Sequence, residues 1–309
     1  MKNLQNWPSF VSIMEVGPRD GLQNEKAIVS TREKISFINS LSQAGFKRIE
    51  VTAFVSPKWI PPLADQMEVA KGITRYDGVS YAALVPNLYG YERAKICEIN
   101  EVSIVLSASE THNNKNINAT TKEAIARYKE VALAANKDNR PFRAYLSCTF
   151  GCPYEKAVSI KTIVELCDVL LDMGAYEISL SDTIGIACPK DIFMVVENVL
   201  AKVPARKLAL HLHDTFGGAL ANILVGLQLG ISSFDSSAGG MGGCPYAKGA
   251  LGNVASEDLL YMLHKMGIET GISLEKLCLS SLEIEKNLQR NLNAKVLNNF
   301  RLNGLNSEK

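Results

Sequence analysis

Short apolar runs of strand length alternate with amphipathic helical stretches eight times within the 309 residues, and that count constrains the fold more than any other feature. Strand patterns fall at 11–16, 48–54, 79–85, 101–107, 142–148, 176–180, 207–213 and 232–236. Helical patterns fall at 30–44, 63–74, just after Pro86-Asn87, then at 120–136, 159–173, 189–201, 219–229 and 253–266. Ser30 or Thr31 can cap the first helix, Glu33 suits its first turn, and Gly45 suits its end. The eightfold alternation predicts an α/β fold, a (β/α)8 TIM barrel. A doubly wound open sheet is the competing arrangement, and it gathers its site at one switch point, with a Gly-rich turn after the first strand. Here polar residues recur at the carboxyl ends of most strands, among them Arg19, Asp20, Ser147, Asp182, His211 and Asp235, and such a ring favours closure.

The chain is therefore expected to form a single catalytic barrel domain over 1–309, with 270–309 a C-terminal helical extension. That extension holds one further helix at 273–291. From Asn293 onward the Asn- and Lys-rich tail is expected to fray, and the polar stretch THNNKNINAT at 111–120 reads as a loop.

The seventh strand pattern, KLALHLHD at 207–214, carries the chemistry. Leu208, Leu210 and Leu212 share one face; Ala209, His211 and His213 share the other. Imidazoles two residues apart on a strand project the same way, so both can reach one cation. Two of the four histidines stand here. In a closed barrel the first, seventh and eighth strands are neighbours, so Asp20, just past the first strand, can approach them. Asp20 also has plainer readings, as a turn residue or as a partner for Arg19. Two nitrogens and a carboxylate, with no cysteine at those strand ends, suit Mg2+ or Mn2+, with Zn2+ or Co2+ as alternatives. Arg19, beside Asp20, can hold a carboxylate or stabilise an oxyanion.

The glycine-rich stretch AGGMGGCPYAKGALG at 238–252 follows the eighth strand. Repeated glycine allows close backbone approach or closure over a ligand. Cys244 lies in its middle, off any apolar periodic face, which reads as a thiol for proton transfer rather than a packing residue. Asn253 serves either as the N-cap of the next helix or, through its amide oxygen, as a fourth ligand for a hard cation.

Composition excludes other classes. The formal net charge is +1, with no basic patch for nucleic acid. No apolar run approaches the ~18 residues of a membrane span. The first residues, MKNLQNWPSF, show neither an apolar core nor an Arg-rich presequence, and seven cysteines without a paired framework suit reduced thiols, so the protein is expected in the cytoplasm.

Six motifs carry a resemblance to a known family: VGPRDGLQNEK (16–26), FVSPKWIP (54–61), GCPYE (151–155), EISLSDTIG (177–185), HLHDT (211–215) and GGCPYAKGALGN (242–253). Their order and content resemble the 3-hydroxy-3-methylglutaryl-CoA lyases over about residues 11–270. The resemblance implies a metal-dependent barrel lyase with Asp20, His211, His213 and Asn253 as ligands of a divalent cation. It further implies Arg19 as the group facing the substrate oxyanion, Glu50 as its supporting carboxylate, Gln23 on the substrate and Cys244 as an acid/base on a mobile loop. Gly218, Leu212 and the segment around His112 depart mildly from the family pattern. The implied reaction is metal-assisted retro-aldol cleavage of an acyl-CoA thioester to acetyl-CoA and acetoacetate, in leucine degradation. A homodimer is the expected assembly. A condensing synthase of the same barrel group, joining acetyl-CoA to a 2-oxo acid, is the nearest alternative, and the Gly-Gly-Cys-Pro-Tyr run argues against it. A barrel that only binds metal or thioester is a further alternative, set aside by the joint presence of Arg19, Glu50 and Cys244.

Overall fold

The computed structural model describes residues 7–243 and 252–303. Eight parallel strands close on themselves in chain order: β1 (Ser12–Glu15), β2 (Arg48–Ala53), β3 (Ser80–Leu84), β4 (Glu101–Ser107), β5 (Phe142–Ser147), β6 (Glu177–Asp182), β7 (Leu208–Leu212) and β8 (Ser233–Ser236). β1 completes the barrel by pairing with β8, Met14 against Asp235 and Glu15 against Ser236. The closed-barrel expectation holds, and the open sheet is excluded.

The helices among the described residues are α1 (Thr31–Ala44), α2 (Gln66–Gly72), α3 (Leu88–Ile96), α4 (Glu110–Ile117), α5 (Thr121–Lys137), α6 (Ile160–Asp172), α7 (Pro189–Leu200), α8 (Ala219–Gln228), α9 (Ser256–Lys265), α10 (Leu274–Leu288) and α11 (Lys295–Asn303). Ser30 caps α1 reciprocally with Glu33, and Gly45 ends it at φ +110°. The apolar core lies between strands and helices. Leu210 on β7 packs so closely on α8 that a Cβ at Gly226 would meet its Cδ1 at 2.6 Å. With the leucines of β7 directed outward, the alternate residues of the strand face the barrel interior.

Three expectations fail at the level of elements. The polar stretch read as a loop contains α4: Ser109 caps it by accepting from His112 N, and Asn113 ties it to β4 through the main chain of Ser107. The tail expected to fray contains α11, whose first amides at Lys295 and Val296 donate to Asp258 of α9. Finally, Asn253 is not a helix cap. Residues 253–255 bridge to the ends of β7 and β8 (His213 with Asn253, Ser237 with Ala255), so the backbone stays extended and α9 begins only at Ser256. The contacts that hold α11 and 253–255 are tertiary, and local propensity carries no sign of them, whereas the Ser109 cap of α4 is a local signal.

Candidate active site and metal centre

The site begins with the turn that follows β1. Residues Gly17–Gly21 form one wide helical turn of the π type, in which the amides of Arg19, Asp20 and Gly21 all converge on the carbonyl of Val16. Gly17 has no room for a side chain, since a Cβ would lie 2.6 Å from Glu15 Oε1. The turn delivers Arg19 and Asp20, both buried, to the carboxyl mouth of the barrel.

Arg19 is clamped along its length. Its Nε donates to Glu50 Oε2 at 2.5 Å, its Nη1 donates to Asp20 Oδ1 at 2.6 Å, and its guanidinium lies 5.4 Å from the centre of the Tyr145 ring. Among the described residues no hydrogen bond occupies Nη2. Burial works against its charge, but Glu50 and Asp20 outweigh it and hold its pKa above the ordinary arginine value. Glu50, fully buried on β2, also accepts from the hydroxyls of Ser103 and Tyr145. Arg19 is thus rigid and charged, with Nη2 uncommitted among the described residues.

Asp20 joins this group to the histidines. Its Oδ2 accepts from Asn253 Nδ2 at 2.7 Å and lies 3.9 Å from Nε2 of both His211 and His213. Burial pushes its pKa up, but Arg19 and the two imidazoles overcome this and bring it down to about 2, so it is a carboxylate at neutral pH. His213 is held neutral: burial, and then its neighbour His211, lower its pKa to about 4. Both imidazoles point inward as the strand pattern requires, with ring centres 5.3 Å apart. One donor atom each from Asp20, His211 and His213 lies within 4.8 Å of the others. Two buried atoms nearby, His213 Nδ1 and Asn253 Oδ1, have no hydrogen-bond partner among the described residues. An unsatisfied amide oxygen beside two imidazole nitrogens and a carboxylate is the donor set a divalent cation satisfies, so these residues fit a metal.

The stem of the glycine stretch closes over this group. A Cβ at Gly242 would meet Asn253 Nδ2 at 2.5 Å, and one at Gly252 would meet the carbonyls of Gly240 and Gly242 at 2.5 and 2.6 Å. Asn24 Nδ2 donates to the carbonyl of Gly243, tying the stem to the Arg19–Asp20 turn. Gln23 donates to Asp20 Oδ1 at 3.1 Å and also borders the cleft. Cys244 lies outside the described residues.

A cleft of about 1030 Å3 opens onto Arg19, His211 and His213 and extends past Trp59, Lys115 and Arg127. A second cavity of about 520 Å3 sits at the opposite, amino end of the barrel among Arg48, Glu101, Arg140 and Tyr176, remote from the metal ligands. The former is the site, because the titratable groups and unsatisfied donors converge on it.

Two neighbours of the site were given no individual role from the sequence: Tyr145, and Asp235, which was read only as one of the polar strand ends. Tyr145 donates to Glu50 and lies between the guanidiniums of Arg19 and Arg143, the latter 4.7 Å from its ring centre. Asp235 accepts from the His211 ring at 3.3 Å. Both follow strict alternation on their strands, a signal that becomes usable only once the barrel register is known.

Residues 10–282 match a family model described as HMGL-like. The chain is 52% identical over 295 residues to hydroxymethylglutaryl-CoA lyase YngG of Bacillus subtilis (strain 168), covering 96% of this chain and 99% of that one. It is 50% identical over 293 residues to the human cytoplasmic 3-hydroxy-3-methylglutaryl-CoA lyase, covering 95% and 79%. The structure of an HMG-CoA lyase from Acinetobacter baumannii, in complex with coenzyme A and 3-methylmalate, superposes with a TM-score of 0.91 at 39% identity, covering 97% of each chain.

Proposed function

The chain belongs to the hydroxymethylglutaryl-CoA lyase family, and from that premise we propose how its residues divide 3-hydroxy-3-methylglutaryl-CoA into acetyl-CoA and acetoacetate. The observation that carries the reading is Arg19, rigidly charged with Nη2 uncommitted among the described residues, next to Asp20 of a converged Asp20–His211–His213 set.

In a retro-aldol cleavage the C3 hydroxyl gives up its proton and becomes the ketone of acetoacetate. The electron pair of the C2–C3 bond passes to the thioester, as the enolate of acetyl-CoA, which then takes a proton. A divalent cation held by Asp20, His211, His213 and Asn253, Mg2+ or Mn2+ by its donor chemistry, supplies the Lewis acidity that makes a tertiary hydroxyl acidic at neutral pH. Arg19 presents Nη2 to the oxygen on which enolate charge develops. Because Glu50 and Asp20 hold its other donors, no reorganisation is needed as that charge appears. Glu50 is in turn fixed by Tyr145 and Ser103, so the guanidinium plane is set by three elements of the barrel. Gln23 sits where it can meet the substrate while steadying Asp20. Cys244 is assigned the proton delivered to the enolate carbon. Lys115 and Arg127 place positive charge along the cleft, suited to the anionic half of an acyl-CoA.

We treat the chain as a single catalytic barrel, 1–309, with α10 and α11 in a helical extension over 270–309. We further assign it to the cytoplasm, to leucine degradation and to a homodimer. No helix among the described residues is long and apolar enough to cross a membrane. The six described cysteines are free, as a reducing compartment keeps them. Ile186, just before α7, and Phe193 and Met194 within it expose apolar surface suited to a second copy.

The test is thioester cleavage by purified protein before and after EDTA, with Mn2+ or Mg2+ restored afterwards. Loss and recovery of acetoacetate release are expected; full activity without metal would overturn the metal reading. Cys244→Ala is expected to bind Mn2+ and melt as the parent does, yet lose about 10²–10⁴ in kcat, as for a positioned acid. Undiminished turnover would remove the thiol from the mechanism.

A further inference from the structure

His211 presents Nε2 to Asp20, and its other nitrogen faces a carboxylate that no reacting atom reaches. Asp235, on β8, is fully buried at its side chain and pairs in register with His211 across the β7–β8 ladder. Its Oδ2 accepts from the His211 ring at Nδ1 (3.3 Å), from the Ser179 hydroxyl (2.9 Å) and from Arg143 Nη1 (3.3 Å); its Oδ1 accepts from Arg143 Nη2 (2.7 Å). Arg143, with no exposed surface, donates its remaining Nε to Glu177 at 2.6 Å. These contacts hold the Asp235 carboxylate in place on both of its oxygens.

A carboxylate is an acceptor only, so whichever ring nitrogen faces it must carry the proton. With Nδ1–H committed to Asp235, Nε2 carries the lone pair and faces Asp20. We propose that Asp235 is a positioning residue, whose carboxylate, fixed by Arg143 and Ser179, sets the tautomer of His211 so that Nε2 offers a lone pair to the cation. The inference rests on the reading of Asp20, His211, His213 and Asn253 as a metal site. Outer carboxylates of this kind orient ligand imidazoles and raise their basicity, and their loss typically lowers metal affinity about 10–100-fold.

The isosteric change Asp235→Asn isolates the effect. Arg143 Nη2 keeps an acceptor only if the amide oxygen takes the place of Oδ1, which turns the amide NH2 toward His211. Nδ1 must then accept, the proton moves to Nε2, and the nitrogen facing Asp20 loses its lone pair. Ser179→Ala removes a neutral bond to the same oxygen while leaving the carboxylate in place.

The experiment is Mn2+ titration calorimetry on metal-free protein for the parent, Asp235→Asn and Ser179→Ala, with melting temperatures on the same samples. It is joined by 15N-histidine NMR of the parent at a pH where imidazoles are neutral, with His211→Gln to assign the signal. The expected result is an Nδ1–H tautomer at His211, a 10–100-fold loss of Mn2+ affinity in Asp235→Asn and a smaller loss in Ser179→Ala. An Nε2–H tautomer in the parent overturns the proposal, and does so even where Asp235→Asn does not fold. Equal Mn2+ affinity in parent and Asp235→Asn overturns it as well. A parent that binds no Mn2+ overturns instead the metal reading beneath it.

Discussion

Two buried arginines stand on either side of Tyr145, and their circumstances are opposite. Arg143 has no exposed surface, and all three of its nitrogens are committed, to Glu177 and Asp235. Arg19 is 4% exposed, commits two nitrogens to Glu50 and Asp20, and keeps the third on the cleft. Each pays the desolvation cost of a buried cation and recovers it from two carboxylates. A guanidinium with every nitrogen engaged is an internal strut, able to hold Asp235 and Glu177 but indifferent to ligand. A guanidinium with one nitrogen uncommitted keeps affinity for an oxyanion that has yet to form. The difference between scaffold and proposed catalyst here is one uncommitted nitrogen.

The sharpest way to break that comparison is to remove the strut. Arg143→Met leaves Asp235 buried without its cation and Glu177 with Arg48 alone, and it is expected to cost about 3–5 kcal/mol of stability. Denaturant unfolding measures this; a loss under about 1 kcal/mol would mean the carboxylates find other partners. Arg19→Lys comes next. The three N–H groups of an ammonium radiate from one nitrogen and cannot span the separate positions that Nε, Nη1 and Nη2 reach, so kcat is expected to fall about 10²–10³-fold with a modest change in KM. A large KM rise with kcat preserved would make Arg19 a substrate clamp.

A third prediction contrasts carboxylates held by cations with one that is not. Burial lifts the pKa of Glu15 from the ordinary carboxylate value to about 8, although it accepts from Ser256, Ala238 and Gly17. A group with a raised folded-state pKa contributes stability that is complete below its unfolded value and is lost as pH climbs through its folded value. The melting temperature is thus expected to decline between about pH 4.5 and 8 from this source. Glu257, also buried and raised to about 7, adds to the decline over its lower part. Glu15→Gln is expected to flatten the slope; an unchanged slope would assign the decline to other groups. The smallest effect belongs to an exposed pair. Lys161 and Glu165 lie 3.8 Å apart on the solvent face of α6, and Lys161→Ala is expected to change stability by less than about 0.5 kcal/mol.

The sequence alone carried the barrel, because eight strand–helix alternations and polar strand ends are local patterns. It also carried His211 and His213, since alternation fixes which residues of one strand share a face. Asp235 and Tyr145 were visible only as members of strands. Their roles depend on which residue of the neighbouring strand stands opposite, His211 against Asp235 for example, and register is a property of the closed sheet. Arg143 was hidden for the same reason: a basic residue inside a strand reads as solvent-facing until Glu177 is known to stand opposite it on the next strand and Asp235 across the barrel. Asn253 was legible as either a helix cap or a ligand, and the cap reading fails because bridges to His213, about forty residues earlier, and to Ser237 keep 253–255 extended.

The wide turn after β1 has a consequence for how such a protein can change over generations. Arg19 and Asp20 are consecutive residues, and one carbonyl, that of Val16, fixes them both. The charge proposed to meet the substrate and the charge proposed to meet the cation are therefore inherited as one unit. A one-residue insertion or deletion within Gly17–Gly21 would displace both at once, leaving no half-functional intermediate for selection to refine. Trp59, Lys115 and Arg127, on separate segments bordering the same cleft, carry no such linkage. A lineage descended from this chain is free to explore new acyl chains along those walls, one substitution at a time, while the bond-breaking pair stays locked.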